Sequence, residues 1–181
     1  MENRKRCWQQ GFTLIELMIT LTIIGITLFT AIPSFSALLA NNRLVATLNE
    51  FNAVMSYARS EAIKRGTRVV LCPTADNLNC AGINTWQEAV LLFVDTDADA
   101  DHDEEEPLLR IHRPPNDEIG IYSGSKSKIT YQSNGSSPGS NLTLTFCDPD
   151  QKVAPIALIL ANSGRLRSSD KAADGSLLSC P

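Results

Sequence analysis

The 181 residues are 43% hydrophobic and 20% charged, which suits one globular domain plus an anchor. A formal net charge of −4 excludes a molecule whose whole surface binds nucleic acid. Eight of the 20 acids fall in one stretch, "DTDADADHDEEE" (Asp95 to Glu106); the rest of the chain holds 12 acids against 16 bases, so a local positive patch remains open.

The first element is apolar. "GFTLIELMITLTIIGITLFTAIP", Gly11 to Pro33, reads as a helix interrupted chemically only by Glu16. Phe12 to Ile32 would extend about 32 Å at about 1.5 Å per residue, enough for a bilayer core. Arg4, Lys5 and Arg6 precede it and keep that end in the cytoplasm by the positive-inside bias, so the rest of the chain lies outside. A cleaved secretory signal and a plain anchor both leave Glu16 unexplained. An acid inside a span costs roughly 2.5–3.5 kcal/mol and calls for a partner. Cleavage between Gly11 and Phe12 would create one, an amine about one helical turn away.

Downstream, Pro33 is expected to kink the helix. Leu38, Val45, Leu48, Phe51, Met55, Ala58 and Ala62 then recur at helical spacing, with Arg43, Asn49, Glu50, Glu61 and Lys64 assigned mostly to other faces. This amphipathic helix should end near Gly66. After it come β-like runs, "TRVVLC", "EAVLLFV", "LLRIHR", "KITYQ", "NLTLTFC" and "IALILA", separated by turn-forming residues. They suggest antiparallel strands packed on the helix. "GSSPGSN", Gly135 to Asn141, reads as a flexible loop.

Of five cysteines, Cys7 precedes the apolar run and four follow it. In an exported domain those four suggest two disulfides, Cys72–Cys80 and Cys147–Cys180 in one of three possible pairings, with buried free thiols as the alternative. No CxxC pair or neighbouring His favours zinc.

Two constellations invite a ligand. Asp95, Asp97, Asp99, Asp101, Asp103 and Glu106 stand at positions 1, 3, 5, 7, 9 and 12 of an EF-hand-like calcium loop. Ala100 occupies the position that needs glycine, and the flanks read as strands, so a solvated acidic loop is the plainer reading; neither metal nor cofactor is expected. The second is "NSGRLRSSDK", Asn162 to Lys171. Gly164 permits a turn, and Ser163 and Ser168 can donate to phosphates. In extended backbone Arg165 and Arg167 point one way, about 6.7 Å apart at roughly 3.3 Å per residue. With Lys171 they form a candidate double-stranded DNA contact that would not read sequence. The competing reading pairs these bases with Asp170, Asp174 or the acidic loop. No nucleophile elbow or phosphate loop is present, and His102 and His112 lie in or beside the acidic loop, so no enzyme is expected.

"GFTLIELMITLTIIGI" resembles the leader and N-terminal helix of type IV pilins and type II secretion pseudopilins. The resemblance implies cleavage by a prepilin peptidase after Gly11, methylation of Phe12, and pairing of Glu16 with the N-terminal amine of a neighbouring subunit. "YARSEAIKRGTRVVLCP" (Tyr57 to Pro73), "TWQEAVLLFVDTDAD" (Thr85 to Asp99) and "EEPLLRIH" (Glu105 to His112) are similar to the FimT/GspH branch of minor pilins and pseudopilins. That branch often carries Gly and Trp after its Trp-Gln; Ala89 and Val90 stand there, a departure that bears on packing. The Gly164–Arg167 pattern, on a tail held by a cysteine, resembles the DNA-binding tail of FimT-type pilins active in natural transformation.

The resemblance implies an α+β pilin fold: a cleaved leader over 1–11, a membrane and filament-core helix over 12–33, an amphipathic helix over 34–66, and a β-domain over 67–181. It implies a bacterial inner-membrane protein with a periplasmic C-terminal domain, joining other pilins at the cell surface. Two functions follow from it: a minor pilin that binds DNA for uptake, or a structural subunit that primes or caps a pilus or secretion pseudopilus.

Overall fold

A computed structural model describes residues 11–114 and 118–181, with side chains left out at 30–34. Cys7 and the Arg4–Arg6 cluster lie outside the described residues. The chain forms two compact units, one reaching to Leu38 and one running Leu39–Pro181.

Helix α1 spans Leu14–Arg65. Its start follows from Thr13, whose side-chain oxygen accepts from the Glu16 amide at 3.3 Å, while Leu17 N donates to the Thr13 carbonyl at 3.1 Å. Thr13 thus occupies the N-cap and Glu16 the N3 position, where an acid is favoured by the helix dipole. In the first unit every described side chain from Phe12 to Phe29 is exposed, on all sides of the helix. The hydroxyls of Thr20, Thr22 and Thr27 donate back to carbonyls of the preceding turn, so this polar content is satisfied within the helix. A helix apolar all round is one that other apolar matter must cover. Among the described residues no helix is long and apolar enough to cross a membrane. The span expected over Phe12–Ile32 runs into positions 30–34, and the kink expected at Pro33 also falls there, outside the described side chains.

The helix ends as its sequence dictates. Gly66 has φ +66°, its N–H reaches Ile63 O, and Thr67 N–H reaches Ala62 O, the paired bonds of a Schellman cap.

Eight strands follow: β1 Arg68–Thr74, β2 Ala89–Asp95, β3 Leu108–His112, β4 Gly120–Tyr122, β5 Ile129–Tyr131, β6 Leu142–Cys147, β7 Ile156–Leu160 and β8 Leu166–Ser169. They make two antiparallel sheets, in the orders β3-β2-β1-β5 and β4-β6-β7-β8. The connection between β1 and β2 reaches over to the second sheet, where Trp86 N donates to Ile121 O and Thr85 bridges Tyr122.

One core joins both sheets to the helix. Leu44, Leu48, Phe51, Met55, Ala58 and Ala62 supply its helical side, at alternating gaps of four and three. The stripe expected from the sequence is corrected at its start: Leu38 is 54% and Val45 37% exposed, and Leu44 and Val54 are buried instead. Leu44, four residues before Leu48, continues the four-three alternation that runs through Phe51, Met55, Ala58 and Ala62, whereas Val45 breaks it with two successive gaps of three. Phe51 is the aromatic hub, edge-on to Trp86, His112 and Phe146 at 5.9–6.2 Å between centroids. Glu61, assigned to a solvent face, is buried, with Arg65 at 2.6 Å and Lys64 at 3.6 Å. The hydrogen bond from Arg65 holds its carboxyl below the usual carboxylate range. A second cluster, Val70, Cys72, Leu91 and Phe93, fills the opposite face of the first sheet. Strands β1 and β2 are therefore buried on both faces, which explains why they read as continuous apolar runs.

The "GSSPGSN" segment is not the flexible loop expected. Ser137 and Ser140 are buried; Ser137 Oγ donates to Thr130 O at 2.7 Å, and Ser140 Oγ accepts from Thr130 N at 3.1 Å. Serine hydroxyls here do for the free edge of β5 what another strand would do.

Candidate nucleic-acid interface

Arg165 and Arg167 sit on the hairpin that joins β7 to β8. Ala161 N donates to Arg165 O at 3.0 Å and Gly164 N to Ala161 O at 2.8 Å, enclosing a three-residue loop that ends on Gly164 at φ +76°. Such loops place a left-handed residue at their last position, which glycine fills without strain. The sequence reading of Gly164 as a turn residue is correct but incomplete. A Cβ there would lie 2.0 Å from Gly135 O and 3.1 Å from Arg59 Nε. The glycine is needed for close approach as well as for conformation.

Three segments meet at this point. Arg59, on α1, donates from Nε to Gly135 O at 2.9 Å and from Nη2 to Ser163 O at 3.3 Å. Ser137 N donates to Asn162 O at 2.8 Å. The helix, the β5–β6 connection and the hairpin loop are thereby fastened to one another, and the arginines stand on a fixed support.

Register decides which candidate residues share a face. Leu142, Leu160 and Leu166 form one cross-strand row that faces the core, and Leu144, Leu158 and Ser168 form the next. Thr143, Ile159 and Arg167 form a row on the outer face, which Arg165 shares by alternation. Ser168 therefore belongs to the opposite face from the arginines, though exposed at the edge strand. Ser163 is exposed in the loop, and Lys171 is exposed beyond β8, bridged to Leu177. The structure brings together Arg165 and Arg167, keeps Ser163 beside them in the loop, and does not bring Ser168 into their group.

The tail beyond β8 folds back. Ala172 N donates to Ser176 O around a turn, and Cys180 is bonded to Cys147 on the outer side of β6. That path crosses β7, whose outward-facing Ala157 and Ile159 are buried although they point away from the core. Closing a loop of this separation stabilises by about 3–4 kcal/mol in the chain-entropy account. Cys72 and Cys80 form the second bond.

The bases divide into those that meet a carboxylate and those that do not; Arg110, Arg113 and Lys126 belong to the second group among the described residues, Arg113 reaching Asn77 and Lys126 Gly139 O. Arg43, Arg65 and Arg68 each meet a carboxylate, at 3.5, 2.6 and 3.1 Å. Among the described residues Arg59, Arg165, Arg167 and Lys171 meet none within ion-pair distance. The expected competition from Asp170, Asp174 or the acidic loop is not seen there. Asp174 instead accepts from Ser176, from both its hydroxyl and its amide, which holds the Asp174 carboxyl below its ordinary range.

The acidic stretch is the connection between β2 and β3, flanked by strands. Ligand oxygens of Asp95, Asp97 and Asp99 lie within 4.8 Å of one another. Asp101 is paired with Lys128 at 2.6 Å, and Glu106 accepts from Thr96 N at 2.7 Å. Asp95 is buried against Arg68 and also accepts from Ala98 N. Internal cations and amides thus hold much of the set proposed for calcium. Ala100 adopts φ +63°, so the position that wants glycine does take the left-handed turn, at a cost to alanine of about 1–2 kcal/mol.

His102 Nδ1 lies 2.8 Å from Leu78 O and its ring packs on Phe93. His112 is buried against Phe51 with Glu50 at 3.7 Å, and desolvation lowers its pKa from the ordinary histidine value. At the N-terminus, Gly11, Phe12 and Glu16 are exposed. Sequence reasoning missed Thr13 and Arg59. The first carried a legible signal, Thr-x-x-Glu before an apolar run. The second carried none, because its partners are carbonyls distant in sequence.

Residues 47–164 match the family described as "Type II transport protein GspH", and residues 9–32 match the "Prokaryotic N-terminal methylation motif". Two fimbrial proteins of Pseudomonas aeruginosa are each 41% identical over 66 residues, 36% of this chain. The chain spans 42% of the length of these curated relatives. Two crystal structures of the type IV minor pilin FimU from Pseudomonas aeruginosa share the fold. One aligns over 75% of this chain and 96% of its own with a TM-score of 0.57 at 21% identity. The other covers 72% and 97%, at 0.54 and 20%. Helix and sheets together form a pilin fold.

The close approach at Gly164 predicts an asymmetry between two glycines. Gly164→Ala should cost about 2–4 kcal/mol, from left-handed strain plus overpacking against Gly135. Gly175→Ala, at φ +86° but facing open space, should cost about 1 kcal/mol. Denaturant unfolding of the two variants measures the difference; equal costs would remove the packing role of Gly164.

Proposed function

The chain belongs to the GspH family of type II transport proteins, and from that premise we propose that it is a minor subunit of a type IV pilus that holds extracellular double-stranded DNA. Arg165 and Arg167 contact neighbouring phosphates, with Lys171 and the Ser163 hydroxyl adding donors nearby. The observation that carries this reading is the unpaired state of these bases in an acidic chain, on a hairpin fixed by Arg59. Guanidinium groups suit phosphate oxygens, and contacts to backbone alone hold any sequence. Few phosphates are engaged, so single-site affinity is modest, and several copies in a filament offset that by avidity. The role is one of binding, not catalysis.

The N-terminal segment supplies delivery and assembly. A prepilin peptidase cuts after Gly11, Phe12 becomes the methylated N-terminus, and the chain waits in the inner membrane with its β-domain in the periplasm. Glu16 then pairs with the amine of a neighbouring pilin. Thr13 caps the helix through the Glu16 amide, so the carboxylate is left for that partner. The apolar helix leaves lipid for a filament core in which its acid is neutralised.

A second reading has its own support. The matched family is described by transport, and the match ends at Gly164, before the arginines. A structural subunit that primes or caps a pilus or secretion pseudopilus would need no DNA contact.

A gel shift of the full chain in nonionic detergent discriminates the two. The DNA reading expects a shift that fades with salt, with a log–log slope of roughly −2 to −3 for two or three phosphates. Arg165→Ala/Arg167→Ala should abolish it. No shift at low salt, or an unaffected double variant, supports the structural reading. Maturation is checked by intact mass of protein recovered from cells that possess the peptidase. A chain beginning at methylated Phe12 is expected, and Glu16→Ala should stay in the membrane and be missing from filaments; a retained leader with normal incorporation contradicts this.

A further inference from the structure

We propose that the groove between α1 and the β7–β8 hairpin is a phosphodiester site that extends the DNA track onto the helix, an inference that rests on the DNA reading above. The groove holds about 390 Å³ and is lined by Asn52, Ser56, Arg59, Ser60 and Arg165, with Ile63 at one end. None of its lining residues is acidic. In this chain of net charge −4 the nearby helical acids are occupied elsewhere, Glu50 beside His112 and Glu61 with Arg65.

Arg59 is more than its fastening role requires. Two of its N–H groups reach the neutral carbonyls of Gly135 and Ser163. A guanidinium has five N–H donors, so three remain, and its charge meets no carboxylate among the described residues. That charge is half-buried beside Gly164, and Arg165 lines the same acid-free concave surface from the hairpin, although its strand register turns it toward the outer face. Asn52, Ser56 and Ser60 repeat every four residues and present a strip of small polar side chains along the same helix face. Ser60 already donates its hydroxyl to Tyr57 O at 2.7 Å, which leaves Asn52 and Ser56 as the neutral donors beside Arg59, a setting for one phosphate bearing a single charge.

Ser56 is exposed and takes no part in the Arg59 bonds, so it tests the groove without disturbing the hairpin. Full chain in nonionic detergent is titrated with a short fluorescent duplex over a range of KCl. Ser56→Asp places a carboxylate in the groove, three residues from Arg59 on the same helix. Binding should weaken several-fold, with the log–log salt slope shallower by about one unit, the share of one phosphate. Ser56→Asn, similar in size and uncharged, should bind as the parent does. If Ser56→Asp binds with unchanged affinity and slope while Arg165→Ala weakens binding, the groove proposal is overturned and the tail reading stands. If Ser56→Asn weakens binding as much as Ser56→Asp, charge is not the cause and the proposal also falls. Displacement of the duplex by inorganic phosphate at matched ionic strength would assign the groove to a free anion instead. If the parent chain binds no duplex at low salt, both readings fall together.

Discussion

The arginine hairpin depends on one half-buried guanidinium. Arg59 joins α1 to Gly135 and Ser163, and Gly164 lets two backbones meet where any side chain would collide. Without that junction the β7–β8 loop would be an edge hairpin with two like charges and little to hold it. Exposed arginines on a mobile loop lose side-chain and backbone entropy on binding; on a fixed support the backbone share is already spent in folding. In the proposed DNA role, that contact would couple folding to binding without itself touching ligand in its fastening role.

The two units of the chain put the same helix to different uses. In the second, alternating gaps of three and four set Leu44 through Ala62 against the sheets, and the other faces mix polar residues with exposed Leu39, Val45, Tyr57 and Ile63. In the first, apolar side chains occupy every side, and threonine hydroxyls bond back to the helix itself. Glu16 is the exception in that segment, and its position serves two ends. Its amide completes the N-cap with Thr13, and an acid in the first turn suits the helix dipole. A carboxylate there is locally tolerable and still available to a cation, which a residue deeper in the run would not be.

Much of the fold was legible because burial and periodicity agree. The six apolar strand runs correspond to β1, β2, β3, β5, β6 and β7, and Gly66 caps the helix through a positive φ. β4 and β8 were not legible as strands. Gly120–Tyr122 is three residues, and Leu166–Ser169 is a polar edge strand carrying one inward leucine. Edge strands read this way because exposed edges favour charge and polarity. The misplaced helical stripe arose where Leu38 and Val45 fit helical gaps equally well on sequence alone. The serine loop was misread because its order comes from hydroxyls bonded to Thr130, and composition cannot distinguish a bonded serine from a solvated one. Of the candidate site, the pairing of Arg165 with Arg167 was readable from period two, whereas the exclusion of Ser168 needed the register with Leu158. Arg59 lies more than a hundred residues before Ser163, and no local pattern announces that contact.

Native-state hydrogen exchange in Arg59→Ala addresses the junction most directly. Three amides report on it: Ser137 bonded to Asn162, Ala161 bonded to Arg165, and Gly164 bonded to Ala161. The account expects those three to lose protection while the amides of β1 and β2 keep theirs, as a local opening would do. Unchanged protection at Ser137, Ala161 and Gly164 would show that the hairpin stands without Arg59, and would contradict the account.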